Sequence, residues 1–163
     1  MISKIYLDMD GVICNFEKRY EELFGMKPSE ADRDQKEWSK NWEVFCTTHQ
    51  FASLDWWPGG MILLDHLKRI NVPVEILSSS GGKKFHEQVE ADKIKWLKDH
   101  NILYKPNIVP GRSYKTAYAR PDTILIDDTP DIIDAFNKAN GNGILHKDVY
   151  ITIETLDKLL KNG

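Results

Sequence analysis

The sequence predicts an α/β fold: a parallel sheet with helices on both faces and a small helical cap inserted after the first strand. Three observations carry this. Short apolar runs within Lys4–Val12, where the run ends by releasing Asp8 and Asp10 at a turn, at Val74–Leu77 and at Thr123–Ile126 read as core strands. Amphipathic helical stretches alternate with the later runs, as crossover connections between parallel strands require. Between residues 15 and 57, helical pattern follows helical pattern with no strand. The core is therefore expected over 1–14 and 58–163, with the cap over 15–57.

In the first run, Ile5 and Leu7 are apolar, and Asp8 and Asp10 then leave at a turn that Gly11 permits. From Asn15 to Phe24, Phe16, Tyr20, Leu23 and Phe24 share one helical face. Gly25 stops that helix and Pro28 bars its continuation. Ser29 with Asp32 offers an N-cap. Ala31 to Gln50 reads as one helix carrying Trp38, Trp42 and Phe45. Trp57-Pro58-Gly59-Gly60 marks the return loop. A helix is expected from Met61 to Ile70, then a strand from Val74 to Leu77 that stops at Ser78-Ser79-Ser80. A long helix from Lys83 to His100 and an edge strand at Asn107–Val109 follow. Arg112 to Thr116 is a polar, basic connection. The strand Thr123–Ile126 ends in Asp127-Asp128, followed by a helix from Asp131 to Ala139. A last strand at Gly143–Leu145 and a helix from Thr155 to Leu160 complete the pattern.

With 163 residues the chain suits one domain plus a small insertion. A formal net charge of -3 gives no global footprint for a nucleic-acid polymer. No apolar run approaches a membrane span, and no charged-apolar-small leader precedes the first strand, so a cytoplasmic protein without a membrane partner is expected. Cys14 and Cys46 lack metal spacing and are expected as free, buried thiols. The five histidines show no paired ligand spacing, and structural roles are expected for all of them.

Ligands of open α/β sheets sit at the carboxyl ends of the strands. Those ends here are Asp8 with Asp10, Ser78–Ser80, and Asp127 with Asp128, and they are expected to converge. Alone, Asp-Met-Asp-Gly reads as a solvated turn at least as readily as a site. A calcium loop would need a third ligand before its glycine and a terminal Glu. The second acidic strand end is what favours a site. Acids from two strands can share Mg²⁺, which keeps waters and binds phosphate oxygens. Hydroxyls such as those of Ser78 and Ser79 can hold a phosphoryl group beside a helix N-terminus. A lysine can offset charge on a transferred group. One carboxylate can act as nucleophile and a second as acid, then base. Lys115 and Lys93 are both in reach. Lys115, in a loop beside the strand ends, is favoured, while Lys93 reads almost as readily as a solvated surface lysine.

On these residues the chain resembles the haloacid dehalogenase superfamily of phosphatases. Asp8-Met-Asp10-Gly11-Val12 resembles its first motif, Leu77-Ser78 its second, and Ile126-Asp127-Asp128 its fourth. The resemblance implies a Rossmann-like fold with Asp8 as nucleophile and Asp10 as general acid/base. It implies Mg²⁺ on the Asp8 carboxylate, the Asp10 main-chain carbonyl and one of Asp127 or Asp128, with Ser78 on the phosphoryl group. A narrower resemblance is to the 5'(3')-deoxyribonucleotidase family. It rests on the first motif followed by Phe16, the cap aromatics, Trp57-Pro58-Gly59, and Lys115-Thr116 before Ile-Asp-Asp-x-Pro-Asp. That family removes phosphate from deoxyribonucleoside monophosphates and stacks the base between cap aromatics. Phe16, Trp38 and Phe51 match by position, while Trp42, Phe45 and Trp56 are expected to pack the cap. Thr129 and Glu37 depart from the family, which bears on base preference. The expected partner is a small phosphate ester such as a nucleoside monophosphate, and a homodimer is compatible. The alternatives are another sugar phosphate, a nucleic-acid terminal phosphate, a phospho-acceptor receiver, or a silent binding protein on the same fold.

Overall fold

The computed structural model describes residues 1–162; Gly163, the end of the expected core segment, lies outside them. Five strands, β1 (Lys4–Leu7), β2 (Val74–Ser79), β3 (Lys105–Val109), β4 (Thr123–Asp127) and β5 (Asn142–Leu145), form one sheet in the order β3-β2-β1-β4-β5. Every pairing is parallel. Ile5 lies opposite Val74 and Ile124, and Leu7 opposite Ile76 and Ile126. The three strands that carry the acids and hydroxyls, β2, β1 and β4, are therefore adjacent at the centre. This follows from their sequence: β1 and β4 are short and apolar, which suits strands covered on both faces.

The period-two alternation sends Ile5, Leu7, Ile76, Ile124 and Ile126 to one face and Leu77 and Leu125 to the other. The first face is covered by α4 (Gly60–Lys68), α5 (His86–Asp99) and α7 (Val149–Asn162). The second is covered by α6 (Pro130–Lys138) and the 3-10 segment Arg112–Tyr118. Each fully buried Leu or Ile contributes about 1.5–3 kcal/mol relative to exposure.

The insertion between β1 and α4 holds α1 (Phe16–Phe24), α2 (Pro28–Ala31), α3 (Gln35–Thr47) and a 3-10 turn (Gln50–Ser53). Its two connections lie side by side. Cys14 and Trp56 form an antiparallel bridge, with Asn15 N–H donating to Asp55 O and Trp57 N–H to Ile13 O, each at 2.8 Å. Trp96 of α5 anchors the exit by donating from Nε1 to Leu54 O at 2.7 Å.

The first strand ends at Leu7, where the acids were expected to leave it, and the Met9 carbonyl accepts from Val12, Ile13 and Cys14 to fold the chain into a tight turn. Several boundaries differ from the sequence expectation. The helix expected over 31–50 is shorter, α3 at Gln35–Thr47, and the separate short helix α2 at Pro28–Ala31 precedes it. Pro28 starts α2, and Asp34 caps α3 through the N–H groups of Lys36 and Glu37, a role expected of Ser29 with Asp32. The last helix starts at Val149, where the Asp148 carboxylate accepts from Tyr150 and Ile151. Both cysteines are free and buried. Among the described residues no helix is long and apolar enough to cross a membrane.

Candidate active site

The carboxyl ends of β1, β2 and β4 open into a cleft of about 770 Å³ between the sheet and the helical insertion. Asp8, Asp10, Ser79, Lys115 and Asp128 line its floor, and Phe16, Trp38, Trp42, Phe51 and Trp57 line its walls. That volume is within the range of small-molecule sites.

Asp8 leaves β1 with its N–H on Ile126 O at 3.0 Å, and its carboxylate accepts from Met9 N–H at 2.8 Å. Only 5% of Asp8 is exposed. Lys115, 4% exposed, reaches in from the 3-10 segment Arg112–Tyr118. Its Nζ stands 3.1 Å from Asp8 Oδ1 and donates to Asp127 Oδ2 at 2.7 Å. Asp127 also accepts from Thr129 N–H at 3.0 Å and is fully buried. Its neighbour Asp128 is exposed to the cleft and, among the described residues, accepts only from Thr129 Oγ1, at 3.2 Å.

Gly11 makes this convergence possible. Its φ is 79°, and a Cβ there would lie 1.9 Å from Asp128 Oδ2. Gly11→Ala is expected to cost about 1–2 kcal/mol from the left-handed backbone alone. It should cost more from displacing Asp128, with activity falling further than stability. Thermal melts and phosphate release on one preparation check this.

Electrostatics mark the spot as short of positive charge. Oxygens of Asp8, Asp127 and Asp128 lie within 4.8 Å of one another. Burial, then repulsion from Asp127, pushes the Asp8 carboxyl well above the usual carboxylate range despite Lys115. Burial, then Asp127 and Asp10, pushes Asp128 up to about 6. Burial alone would lower the Lys115 pKa, but Asp8 and Asp127 outweigh it and hold the ammonium above its ordinary value. Three carboxylates against one ammonium leave a negative excess that a divalent cation would balance. Among the described residues no protein donor reaches the Asp10 main-chain carbonyl. The donor set of hard oxygens fits Mg²⁺.

The two serines of the second strand end divide. Ser78, expected on the phosphoryl group, is fully buried, and its hydroxyl accepts from Lys93 at 2.8 Å. Ser79 faces the cleft, because neighbours on a strand point to opposite sides. Lys93 is not a solvated surface lysine. It is 1% exposed, and Val89, Lys93, Trp96 and Leu97 form the buried stripe of α5. A cation at the i+4 position of an apolar stripe was the signal that could have found it.

The wall aromatics also differ from expectation. A base between two rings needs them about 7 Å apart, twice a carbon contact. Phe16 and Phe51 already stack on each other, with centroids 5.6 Å apart and planes at 7°. Trp38 stacks between Tyr20 and Trp42 at 5.6 and 5.7 Å. A flat ligand would therefore lie against an open ring face rather than between these partners. Trp42, expected only to pack the cap, lines the cleft and lies over Gly81, where a Cβ would meet its ring at 2.5 Å. Glu17, Asp32 and Arg112 also line the cleft, and none of them was among the expected site residues.

No protein-family model matches the chain, and no curated protein matches it. Solved structures do. A hydrolase from Streptococcus pneumoniae TIGR4 aligns over 96% of this chain and 98% of its own, with TM-score 0.56 and 14% identity. A defluorinating L-2-haloacid dehalogenase aligns over 87% of this chain and 80% of its own, with TM-score 0.54 and 10% identity. An L-2-haloacid dehalogenase from Xanthobacter autotrophicus, with chloropropionic acid covalently bound, aligns over 88% of this chain and 76% of its own, with TM-score 0.51 and 11% identity. At such identities the likeness is one of fold: this chain has the Rossmann-like α/β fold of the haloacid dehalogenases.

Proposed function

We propose that the protein is a Mg²⁺-dependent phosphomonoesterase of the haloacid dehalogenase type, acting on nucleoside monophosphates. The observation that carries this is the meeting of Asp8, Lys115 and the Asp127–Asp128 pair within one cation's reach at the floor of an aromatic-walled cleft. Asp8, the Asp10 carbonyl and Asp128 would hold Mg²⁺. Asp127 is less suited, since Lys115 and the Thr129 N–H already occupy its oxygens. When bound, the ion draws charge from the phosphoryl oxygens.

The chain's own residues do the rest. An Asp8 oxygen attacks phosphorus, and the bond to the ester oxygen breaks. Asp10 gives that oxygen a proton. Water then attacks the aspartyl-phosphate, Asp10 takes its proton, and inorganic phosphate leaves. Lys115 offsets charge on the transferring group, and Ser79 orients it.

The walls support a flat, apolar leaving group that carries no second anion. Both cations lining the cleft, Lys115 and Arg112, belong to the sheet side, whereas the insertion contributes Glu17 and Asp32. A phosphate-release screen with Mg²⁺ tests this. Nucleoside monophosphates should exceed sugar phosphates, and nucleosides with a second phosphate should be poor substrates. Trp57→Ala, at a cleft-lining ring that stacks on no other aromatic among the described residues, should raise KM for nucleotides by about tenfold, consistent with the loss of one stacking surface, and change that for an aryl phosphate little. Equal KM changes would remove the base from the account. A cleft that releases phosphate from no ester while its aspartyl-phosphate persists would point to a phospho-acceptor module.

A further inference from the structure

Lys93 lies within the site yet does not line the cleft. Its ammonium donates to Asp10 Oδ2, Ser78 Oγ and Ser79 O, each at 2.8 Å. Those acceptors take all three of its N–H groups. The Phe51 ring covers the same nitrogen, with its centroid 4.9 Å away. A lysine so engaged has nothing left for a phosphoryl group. Asp10, by contrast, is held by one oxygen only: Oδ1 is buried and without a partner.

We propose that Lys93 is a positioning residue. Sealed from water by Phe51 of the insertion, it clamps Oδ2 of Asp10 and so fixes the direction in which that carboxylate meets the ester oxygen of the substrate. This rests on the phosphomonoesterase reading. It makes the insertion part of the chemistry through a ring that touches a lysine, separately from any contact with substrate. Two adjacent residues of α5 face the same 3-10 turn region, since Asp92 accepts from His49 Nδ1 at 3.0 Å. The seal over Lys93 is thus fastened at a second point.

The step affected is the first. Asp8 Oδ forms a bond to phosphorus, the P–O ester bond breaks, and its electron pair stays on the leaving oxygen. Asp10 supplies the proton that oxygen needs. A nitrophenolate departs without that proton and an alkoxide does not, so a misplaced Asp10 penalises alkyl esters selectively. The ratio kcat/KM reports this step and is untouched by later hydrolysis of the aspartyl-phosphate.

Lys93→Met keeps the length of the side chain and removes its charge. For a nucleoside 5'-monophosphate, a primary alkyl ester, kcat/KM should fall by about 100-fold or more, the scale of general acid catalysis. For p-nitrophenyl phosphate it should fall by about tenfold or less. Phe51→Leu should show the same skew at smaller amplitude. In Lys93→Ala, added ethylammonium should restore the alkyl ester rate in preference to the aryl one. Equal losses on both esters, or amine rescue without preference, would overturn the positioning role and leave the phosphatase reading standing. A wild-type protein inert towards both esters would overturn both. Should Lys93→Met fail to fold by circular dichroism, the skew in Phe51→Leu and the amine rescue decide the matter.

Discussion

Asp8→Asn is expected to lower phosphate release by roughly four orders of magnitude or more, the scale on which loss of a nucleophile is felt. The same change should make the metal-free protein melt higher. The two effects have one cause. Burial and Asp127 hold the Asp8 carboxyl above its ordinary pKa, so its charged form is disfavoured in the folded state. Stability from such a group is present below the ordinary carboxylate pKa and is lost as pH rises through the raised one. At neutral pH the metal-free wild type therefore carries a penalty that asparagine, neutral at every pH, does not. The advantage of the variant should shrink as pH falls towards 4. Mg²⁺ should reverse the order by stabilising the wild type more than the variant. Melting curves with and without Mg²⁺ at two pH values, alongside phosphate release, check all of this. A variant with wild-type turnover would remove the covalent mechanism.

Lys115→Met is expected to be the most destabilising single change in the site. Among the described residues Lys115 is the only cation between these two buried carboxylates, at 3.1 Å from Asp8 and 2.7 Å from Asp127. Removing one partner of a buried ionic group costs about 3–5 kcal/mol, because the other charges stay behind unpaired. For a chain of this size that is a fall in Tm on the order of 10 °C. Turnover should be lost as well, since among the described residues no other ammonium lines the cleft floor to share that load with the metal. Mg²⁺ should recover part of the stability and none of the rate. Calorimetry across a Mg²⁺ titration separates the two. A melting temperature that does not move would mean that Lys115 bears neither load.

The sheet and the cleft floor were legible because they are written locally. An apolar run followed by acids says strand end at Asp8 and at Asp127, and a ligand site at strand ends follows from the architecture. What was not legible depends on contacts between distant segments. Lys93 was a candidate that read almost as readily as surface, because its burial needs Phe51, which comes from the insertion. The division between Ser78 and Ser79 needed the exact end of β2, which the run of three serines hides. Trp42 looked like packing because only its seat on Gly81 shows that it spans the cleft. The late start of the helix expected over 31–50 turned on Asp34, a cap hidden among many charged neighbours.

The bridge between Cys14 and Trp56 brings the two ends of the insertion to a single doorway in the sheet domain. Everything from Phe16 to Ser53 could be exchanged for a different assembly whose ends are equally close, and the strands below would keep their partners. An exchange of that kind would change the walls of the cleft while leaving the acids and the lysine of its floor in place. Lys93 sets the limit on that freedom: any replacement lid must still supply a roof over its nitrogen.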